Sequence, residues 1–267
     1  MSHLEYYKKT NRIFSELECH FHGVYEIYYF VSGDAEIMVD GKIYKLSPHS
    51  LILLAPNVYH GIQVNSVADY IRYVLFVTPN DISPERMQIL TNIMPNHKKN
   101  PGQEIFFENI EAFHLEHFFW NLKQLETQPN ELKETMEPIF VEALLAQINL
   151  IYATQKPSSV QYHTPSKIMD IINYINSHLS DPLSLDIVAD HFFISKNYLN
   201  KNFKQYLGTT VAEYIRFKRV ILAKQFMNNG ESAMDAAMQA GFSDYSTFYR
   251  SYVKFMKTAP KNASPKQ

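Results

Sequence analysis

Cysteine is almost absent from this chain of 267 residues, which contains Cys19 alone. A single cysteine excludes an internal disulfide framework and any zinc site built from several cysteines. Apolar runs are also short, and none approaches the roughly 18–20 residues that a membrane-spanning helix needs. The first residues, MSHLEYYKKTNRIF, lack the apolar segment of a secretory signal. The sequence therefore predicts a cytoplasmic protein that has no membrane partner.

Net charge is low as well, at −2, but it is unevenly distributed. Residues 1–163 contain 12 Lys and Arg against 19 Asp and Glu, a formal charge of −7. Residues 164–267 contain 13 against 8, a formal charge of +5. An acidic front and a basic back indicate that only the back approaches a polyanion such as nucleic acid. An uneven charge distribution without any function is the alternative.

Hydrophobic patterning divides the chain into two domains. From about residue 19 to 77, short runs rich in Ile, Val, Tyr and Phe alternate with turn signals, and Asp40-Gly41 predicts a β-hairpin. Residues from about 85 to 153 carry helical spacing. The polar segment 155–164 contains Pro157 and predicts a linker. It separates a front domain, residues 1–154, from an all-α domain, residues 165–262.

The all-α domain contains an internal repeat. Residues 184–210 and 232–259 superpose with one insertion, in an alignment that pairs Phe193 with Phe242. Each unit has a small residue in a first helix, a tight turn and a second helix with an apolar spine, as a helix-turn-helix requires. Helix N-caps are expected at Ser184, Ser195 and Ser232, and helix ends at Gly208 and Gly230. A duplicated hairpin that serves only as scaffold is the alternative.

The second helix of each unit carries a polar face that suits DNA. Asn can bond adenine, Lys can donate to guanine, and Arg250 is the best candidate for reading guanine through its two-pronged donor geometry. A solvated helix surface would explain either face alone, but its repetition in two units favours DNA. The candidates are Lys196, Asn197, Asn200, Lys201 and Lys204 in the first helix, and Tyr245, Ser246, Tyr249, Arg250 and Lys254 in the second. Tyr198, Leu199 and Phe203 are expected to pack inward.

The helix between the units, at about residues 210–228, is also basic. Its cations are candidates for phosphate contacts or salt bridges that position the domain without reading sequence. They are Arg216, Lys218, Arg219 and Lys224.

These residues resemble the signatures of the AraC/XylS family of bacterial transcription regulators over about residues 168–260. The first signature is matched by Leu185, Val188, Ala189, Ser195, Tyr198-Leu199, Phe203-Lys204, Gly208 and Glu213-Tyr214-Ile215. The second is matched by Ala236-Ala237, Gly241-Phe242, Asp244, Ser246, Phe248, Arg250, Tyr252, Lys254 and Pro260. The resemblance implies that two helices enter successive major-groove segments of double-stranded DNA, about one turn or ~34 Å apart. Activation is the commoner behaviour in this family, with RNA polymerase as a further candidate partner. Residues 110–153 are expected to bury apolar stripes against the β-rich part of the front domain and against a second chain, which predicts a homodimer.

A second motif lies in the front domain. Cys19-His20-Phe21-His22 is followed after three residues by Glu26 and after six more by Gly33, and His60 comes later. Strand alternation puts four of the side chains on one face: His20, His22, Glu26 and Tyr28. The pattern is similar to that of cupins, which are double-sheet jelly-roll barrels that enclose a small molecule or a metal. In cupin enzymes the matching places, here His20, His22, Glu26 and His60, hold Fe, Mn, Ni or Zn.

Three interpretations of this motif stay open: a bound metal, a metal-free contact with a small molecule, and a satisfied polar core. We expect the second, and hence no cofactor. Tyr28 and Arg72 are candidate contacts for the same ligand, and aromatic walls with a few polar groups suit a sugar. Residues 6–14 are expected to form an arm over the barrel mouth. The pair His114 and His117 is expected to serve helix packing.

The sequence therefore predicts a multidomain protein with an amino-terminal cupin-like β-barrel plus helices and a carboxy-terminal all-α domain with two helix-turn-helix units. The function that fits is a sequence-specific DNA-binding transcription regulator, not an enzyme, controlled by a small effector for which a sugar is a candidate. A cupin metalloenzyme of the isomerase or dioxygenase type, with an accessory helical domain, is the alternative. A helical interaction module that never meets DNA is a third.

Overall fold

The protein divides into two compact units, residues 1–163 and 164–267. The computed structural model describes residues 3–9, 14–66, 69–78, 82, 85–86, 92–95, 104–159 and 162–260, with the backbone alone for 3–9 and 14–18.

The first unit is built from two antiparallel sheets. Its strands are β1 (His3–Lys9), β2 (Phe14–His20), β3 (Tyr25–Ser32), β4 (Ala35–Val39), β5 (Lys42–Lys45), β6 (Ser50–Leu54), β7 (His60–Val64), β8 (Tyr70–Val77) and β9 (Glu104–Phe107). A five-stranded sheet has the order β1-β8-β3-β6-β9, and a four-stranded sheet has the order β2-β7-β4-β5. The double-sheet architecture confirms the predicted cupin-like fold class.

The predicted hairpin joins β4 to β5. Asp40 and Gly41 have φ values of 46° and 88°, so both central residues of the turn are left-handed. Two successive positive φ angles match the right-handed twist of the strands that they connect. Met38 faces Ile43 in the resulting register.

The strands extend beyond the predicted range of about residues 19–77 at both ends. Strand β1 pairs with β8 along its whole length, so residues 3–9 are an edge strand and do not form the expected arm. Strand β9, inside the range expected to be helical, pairs with β6 at the other edge. Of the helix expected near 85–94, only residues 85–86 and 92–95 are described, and the latter form a turn. Arg12 lies outside the described residues.

Two helices cover the five-stranded sheet. They are α1 (Leu115–Leu125) and α2 (Asn130–Thr154), preceded by a single 3₁₀ turn at Glu111–Phe113. Phe119 of α1 stacks on Tyr29 and Tyr73 of the sheet, with ring centroids 5.9 and 5.1 Å apart. Residues of α2 such as Leu144 and Ile148 are fully buried in the same core. The two helices and one face of the five-stranded sheet therefore share a single core.

Helix α2 is the one described helix that is long and apolar enough to cross a membrane, judged by length and composition alone. That is weak evidence for a span, because a helix packed into a protein core meets the same criterion. Val141, Leu145 and Ile151 of α2 are buried in the core, and Glu142 is buried beside Arg86, with which it forms an ion pair.

The end of the first unit includes most of the predicted linker. Ser158 N donates to Phe106 O at 2.7 Å, and His163 N donates to Ile43 O at 3.0 Å. Tyr162 bridges Tyr44 of β5, and its ring meets that of Tyr44 edge-on. The described part of segment 155–163 is therefore attached to the two sheets, and the boundary between the units falls at Thr164.

The second unit contains six helices among its described residues, 164–260. They are α3 (Ser166–Ser177), α4 (Leu185–His191), α5 (Lys196–Leu207), α6 (Val211–Asn228), α7 (Ala233–Gln239) and α8 (Tyr245–Met256). The predicted N-caps are confirmed: Ser184, Ser195 and Ser232 accept hydrogen bonds from the backbone of Ile187, Tyr198 and Asp235. Gly208 ends α5 in the left-handed conformation, as predicted.

The two helix-turn-helix units are α4–α5 and α7–α8, and their turns superpose differently from the predicted alignment. Phe193 N donates to Asp190 O and Ile194 N to Ala189 O, whereas Gly241 N donates to Met238 O and Phe242 N to Ala237 O. Phe193 therefore matches Gly241, and Ile194 matches Phe242. The pairing of Phe193 with Phe242 was wrong because the insertion falls after Phe242, just before the cap of α8.

A side chain at position 241, which is glycine, would collide with neighbouring atoms. Its φ is +91°, and a Cβ built there would lie 2.2 Å from Leu179 O and 2.9 Å from Arg219 Nε. Arg219 donates from Nε to Leu179 O at 2.8 Å and from Nη2 to Asp181 O at 2.7 Å. This bridge fixes the loop after α3 against α6, and it passes directly over Gly241.

We expect Gly241→Ala to destabilise the chain by about 3 kcal/mol, because it adds left-handed strain to a contact with backbone oxygen that cannot move. The matched control is Gly230→Ala, at φ +105° with no atom within 4 Å of the built Cβ, which carries the strain alone. Urea unfolding monitored by circular dichroism measures both free energies. Equal losses in the two variants would show that the close contact contributes nothing.

Candidate functional site

Four candidate ligand residues of the first unit meet at one end of the two sheets. His20 ends β2 and faces His60, the first residue of β7, while His22 lies in the loop before β3 and Glu26 lies in β3. One ligand atom from each of the four lies within 4.8 Å of every other. Glu26 and His60 are buried, His22 is partly exposed and His20 is exposed. The sequence motif thus becomes a single polar cluster that joins the five-stranded sheet to the four-stranded one.

Backbone carbonyls orient two of the rings. His22 Nδ1 lies 2.9 Å from Val24 O, and His60 Nδ1 lies 2.9 Å from Val58 O. Each Nδ1 must donate to its carbonyl, which directs the Nε2 atom of the ring toward the carboxylate. His22 Nε2 lies 2.6 Å from Glu26 Oε2. His60 Nε2 lies 3.0 Å from the same oxygen but makes no well-directed hydrogen bond.

The cluster is electrostatically coupled. Burial alone would raise the pKa of Glu26, but the charges of His60 and His22 and the hydrogen bond of His22 hold that pKa well below its usual range. Burial lowers the pKa of His60, and the neighbouring Glu26 carboxylate more than offsets this, so that pKa is raised. Opposite charges at about 3 Å favour the charged form of each partner. The arrangement therefore favours a carboxylate next to a cationic partner.

Tyr28, another candidate contact, lies two residues after Glu26 in β3, and Arg72 of β8 lies over its ring. Tyr28 is fully buried, its hydroxyl makes a short hydrogen bond with the hydroxyl of Tyr70, and burial raises its pKa well above its usual value. The Arg72 guanidinium carbon lies 5.6 Å from the centre of the Tyr28 ring. Two phenols and a guanidinium together offer several donors to a hydroxylated or acidic ligand.

Helix α5 presents part of its predicted DNA face. Lys196, Asn197, Lys201 and Lys204 are exposed, as predicted, and Lys196 forms an ion pair with Asp186. Asn200 differs, because it is half-buried and its Oδ1 accepts from Val211 N at 3.2 Å. Its side chain secures the start of α6 and does not point outward. Tyr198, expected to pack, is 48% exposed and belongs to the outer face instead.

Helix α8 presents an equivalent face. Ser246, Tyr249, Arg250 and Lys254 are exposed, whereas Tyr245 is half-buried against Phe248, with ring centroids 5.6 Å apart. Arg250 Nη2 lies 3.5 Å from Thr247 Oγ1, a weak contact that leaves the guanidinium on the surface. Lys254 forms an ion pair with Glu213 of α6. Of Arg250 and Lys254, Arg250 is therefore the one that is held less firmly by contacts within the domain.

The cations of α6 are mostly used within the domain. Arg219 forms the bridge over Gly241, and Lys224 is half-buried near Met256, where burial lowers its pKa. Arg216 forms an ion pair with Glu213 at 2.9 Å, and Lys218 lies 5.5 Å from the centre of the Tyr214 ring. These residues were expected to contact phosphates or to form salt bridges within the protein. Arg216 and Arg219 bind partners within the domain.

Sequence reasoning missed Glu213 and Tyr198. Glu213 holds both Arg216 and Lys254, and so sets which cations stay available on α6 and α8. Its place in the first turn of α6 was visible, but its link to α8 spans 41 residues and needs the fold. The exposure of Tyr198 was concealed because an aromatic residue next to Leu199 reads as part of the same apolar spine.

Comparisons with known proteins cover both units. The AraC-like ligand binding domain model matches residues 11–82, and a helix-turn-helix domain model matches residues 188–264. The first match includes all six candidate ligand residues and the second all ten candidate DNA contacts.

Three relatives illustrate the similarity. The HTH-type transcriptional regulator YfiF of Bacillus subtilis (strain 168) is 26% identical over 231 residues, which cover 84% of this chain and 71% of that protein. The HTH-type transcriptional activator RhaS of Escherichia coli O81 (strain ED1a) is 25% identical over 247 residues, covering 86% and 82%. The regulatory protein SoxS of Escherichia coli (strain K12) is 32% identical over 96 residues, covering 36% of this chain and 90% of that protein.

These relatives are regulators and not enzymes, so the metalloenzyme alternative has no support. The first unit matches a ligand-binding domain, the second contains two helix-turn-helix units, and the relatives are transcription regulators. The chain belongs to the AraC/XylS family of DNA-binding transcription regulators.

Proposed function

We propose that this regulator is a cytoplasmic homodimer that reads an asymmetric DNA site with α5 and α8 and activates transcription in response to a small effector, for which a sugar is the candidate. The observation that carries the DNA-reading part is the repeated outer face of α5 and α8. In both helices the apolar spine is buried. The surface of α5 carries Tyr198 and three lysines, and that of α8 carries Tyr249, Arg250 and Lys254.

The outer residues suit a division of labour on DNA. Arg250 offers two parallel donors that fit the O6 and N7 acceptors of guanine. Lys201 and Lys204 are exposed point charges that fit phosphates, which set position but not sequence. Tyr198 and Tyr249 are 48% and 43% exposed and add apolar surface for contact with thymine methyl groups or sugars. Because the two units differ in these residues, one chain would read an asymmetric sequence.

The effector site that we propose lies where the cluster, Tyr28 and Arg72 come together. A hydroxylated molecule such as a sugar would find donors at Tyr28 and Arg72 and acceptors at Glu26. Control of DNA binding requires that the effector favour one state of the protein over another. RhaS is named a transcriptional activator, and activation is carried over here as a proposal, with RNA polymerase as the partner that we propose.

The proposed dimer uses the outer side of α2. Leu132, Ile139 and Leu150 are 44%, 52% and 50% exposed, and their spacing of 7 and 11 residues places them on one stripe. Trp120 of α1, 54% exposed, adds a large apolar surface. Apolar side chains of this size in a row favour a protein interface, and two-fold dimers are the commonest kind.

We expect Arg250→Ala to weaken binding by about 1–3 kcal/mol and to relax the preference at one base pair, because a bidentate guanine contact is lost. The probe is a duplex that the wild-type protein enriches from a random library, with single-base variants at each position, in mobility-shift titrations.

Two controls accompany this variant. Lys201→Ala should weaken binding equally on all sequences and lower the salt slope by about 0.9, as expected for one phosphate contact. Lys167→Ala removes an exposed cation of α3 outside both helix-turn-helix units and should change little. A loss at Arg250→Ala that is uniform across the base variants would contradict base reading.

We expect a pentose, hexose or sugar acid to raise the unfolding temperature of the full chain and to alter its affinity for the enriched duplex. A ligand present at about 100 times its dissociation constant adds about 2.7 kcal/mol of stability. Arg72→Lys should remove both effects, because an ammonium cannot replace a guanidinium fork. Thermal shift and mobility shift with the same panel measure this, and a panel without any response would exclude sugars as effectors.

We expect Ile139→Glu to convert the dimer to a monomer, because it places a charge at the centre of the apolar stripe. Sedimentation equilibrium over a range of concentrations gives the dissociation constant. Thr127→Glu adds the same charge at an exposed position of the α1–α2 loop and should leave the dimer intact. A wild-type chain that sediments as a monomer, or two variants that behave alike, would rule out this interface.

A further inference from the structure

We propose that His20, His22, Glu26 and His60 bind one divalent transition-metal ion. The sequence motif alone favoured a metal-free contact with a small molecule. The geometry of the four side chains favours a metal instead, for reasons that do not depend on the proposed function.

The donor set is that of a transition-metal site. Three imidazoles and one carboxylate suit Zn²⁺, Fe²⁺, Mn²⁺, Co²⁺ or Ni²⁺. Metal–ligand bonds of about 2.0–2.2 Å keep two ligand atoms within about 4.3 Å even on opposite sides of the ion. The largest separation here is 4.8 Å, so a shift of about half an ångström closes the set around one ion.

The outer partners of the rings match this role. His22 and His60 each donate Nδ1–H to a backbone carbonyl, of Val24 and Val58, at 2.9 Å. Metal-bound histidines regularly donate their other nitrogen in this way, which fixes the tautomer with a lone pair on the inner nitrogen. His60 Nε2 is buried, points into the cluster and has no well-directed hydrogen bond. It lies 3.0 Å from Glu26 Oε2, so a metal ion held by the carboxylate would be within reach of this nitrogen.

Hydrogen-bond counting leads to the same conclusion. Both nitrogens of His22 and of His60 face acceptors: a carbonyl on one side and Glu26 Oε2 on the other. Two neutral imidazoles supply two N–H protons for four such contacts, so the other two contacts need either a protonated ring or a bound cation. A divalent cation between the inner nitrogens and the carboxylate satisfies all of these atoms at once, and it compensates the burial of Glu26, which is 3% exposed.

The site is also accessible and anchored on both sheets. His20 and His60 face each other across β2 and β7 of the four-stranded sheet, and Glu26 belongs to the five-stranded sheet. The side chain of His22 is 19% exposed and gives an entry path from solvent. An ion in this place would link the two sheets at the end of the barrel.

The test uses the full-length chain without DNA, so its outcome is separate from that of the proposed function. Protein purified without chelators is analysed for metal content, then stripped with a chelator and titrated with Co²⁺, whose visible absorption reports binding. We expect one ion per chain. Removal of an outer partner typically weakens metal binding about 10–100-fold, so loss of a ligand in Glu26→Gln or His22→Ala should exceed about 100-fold.

A matched control is the double variant His114→Ala/His117→Ala, which removes two stacked histidines at the start of α1. It should bind Co²⁺ like the wild type. Far-UV circular dichroism and the unfolding temperatures of the stripped proteins test whether the isosteric Glu26→Gln variant is folded. The proposal would be overturned if the purified protein contained no metal and the stripped protein bound no Co²⁺. It would also be overturned if both cluster variants still bound Co²⁺ like the wild type.

Discussion

The left-handed turn between the two helices of each helix-turn-helix unit is the constraint on which the DNA-reading surface depends. Ala189 and Ala237 are buried where the helices approach, and each accepts a hydrogen bond from the residue that follows the left-handed one. The turn therefore sets the angle at which α5 and α8 leave the core. Glycine adopts this conformation freely in the second unit, whereas Phe193 holds it in the first at φ 53°.

Around these turns the second unit uses its cations in two ways. Arg219 is committed to carbonyl oxygens of the α3 loop, and Lys254 and Arg216 share Glu213. Exposed ion pairs of this kind contribute little to stability, so the same cations can exchange a carboxylate for a phosphate at small cost. Glu213 thus keeps charge near α8 without neutralising Arg250, the residue proposed to read a base.

Local patterns allowed much of the fold to be predicted, and long-range contacts account for what was missed. The caps at Ser184, Ser195 and Ser232 depend on neighbours within three residues, so their positions follow from sequence. Strands β1 and β9 are edge strands; a short or charged edge strand has weak alternation and depends on its partner. Asn200 appeared to face outward because its bond to Val211 is made across 11 residues.

The polar cluster was also predicted from local pattern, but its geometry was not. Alternation along one strand was expected to put His20, His22 and Glu26 on one face, but they lie in β2, in the next loop and in β3 of the other sheet. Their convergence with His60 depends on the register between β2 and β7. The direction of each ring depends on a carbonyl that no motif specifies. This is why the residues could be named from sequence, whereas the geometry on which the proposed ion site depends could not.

The attachment of Ser158 to β9, and of Tyr162 and His163 to β5, has an entropic consequence for the chain as a whole. With Tyr162 and His163 paired to the β5 edge, only Thr164 and Pro165 separate the last anchored residue from α3, a span of at most about 10 Å. If that pairing opened, the tether would lengthen to roughly ten residues, and the effective concentration of one unit around the other would fall accordingly. The pairing with the edge strand β5 thus sets the length of unattached chain between the ligand-binding unit and the DNA-binding unit.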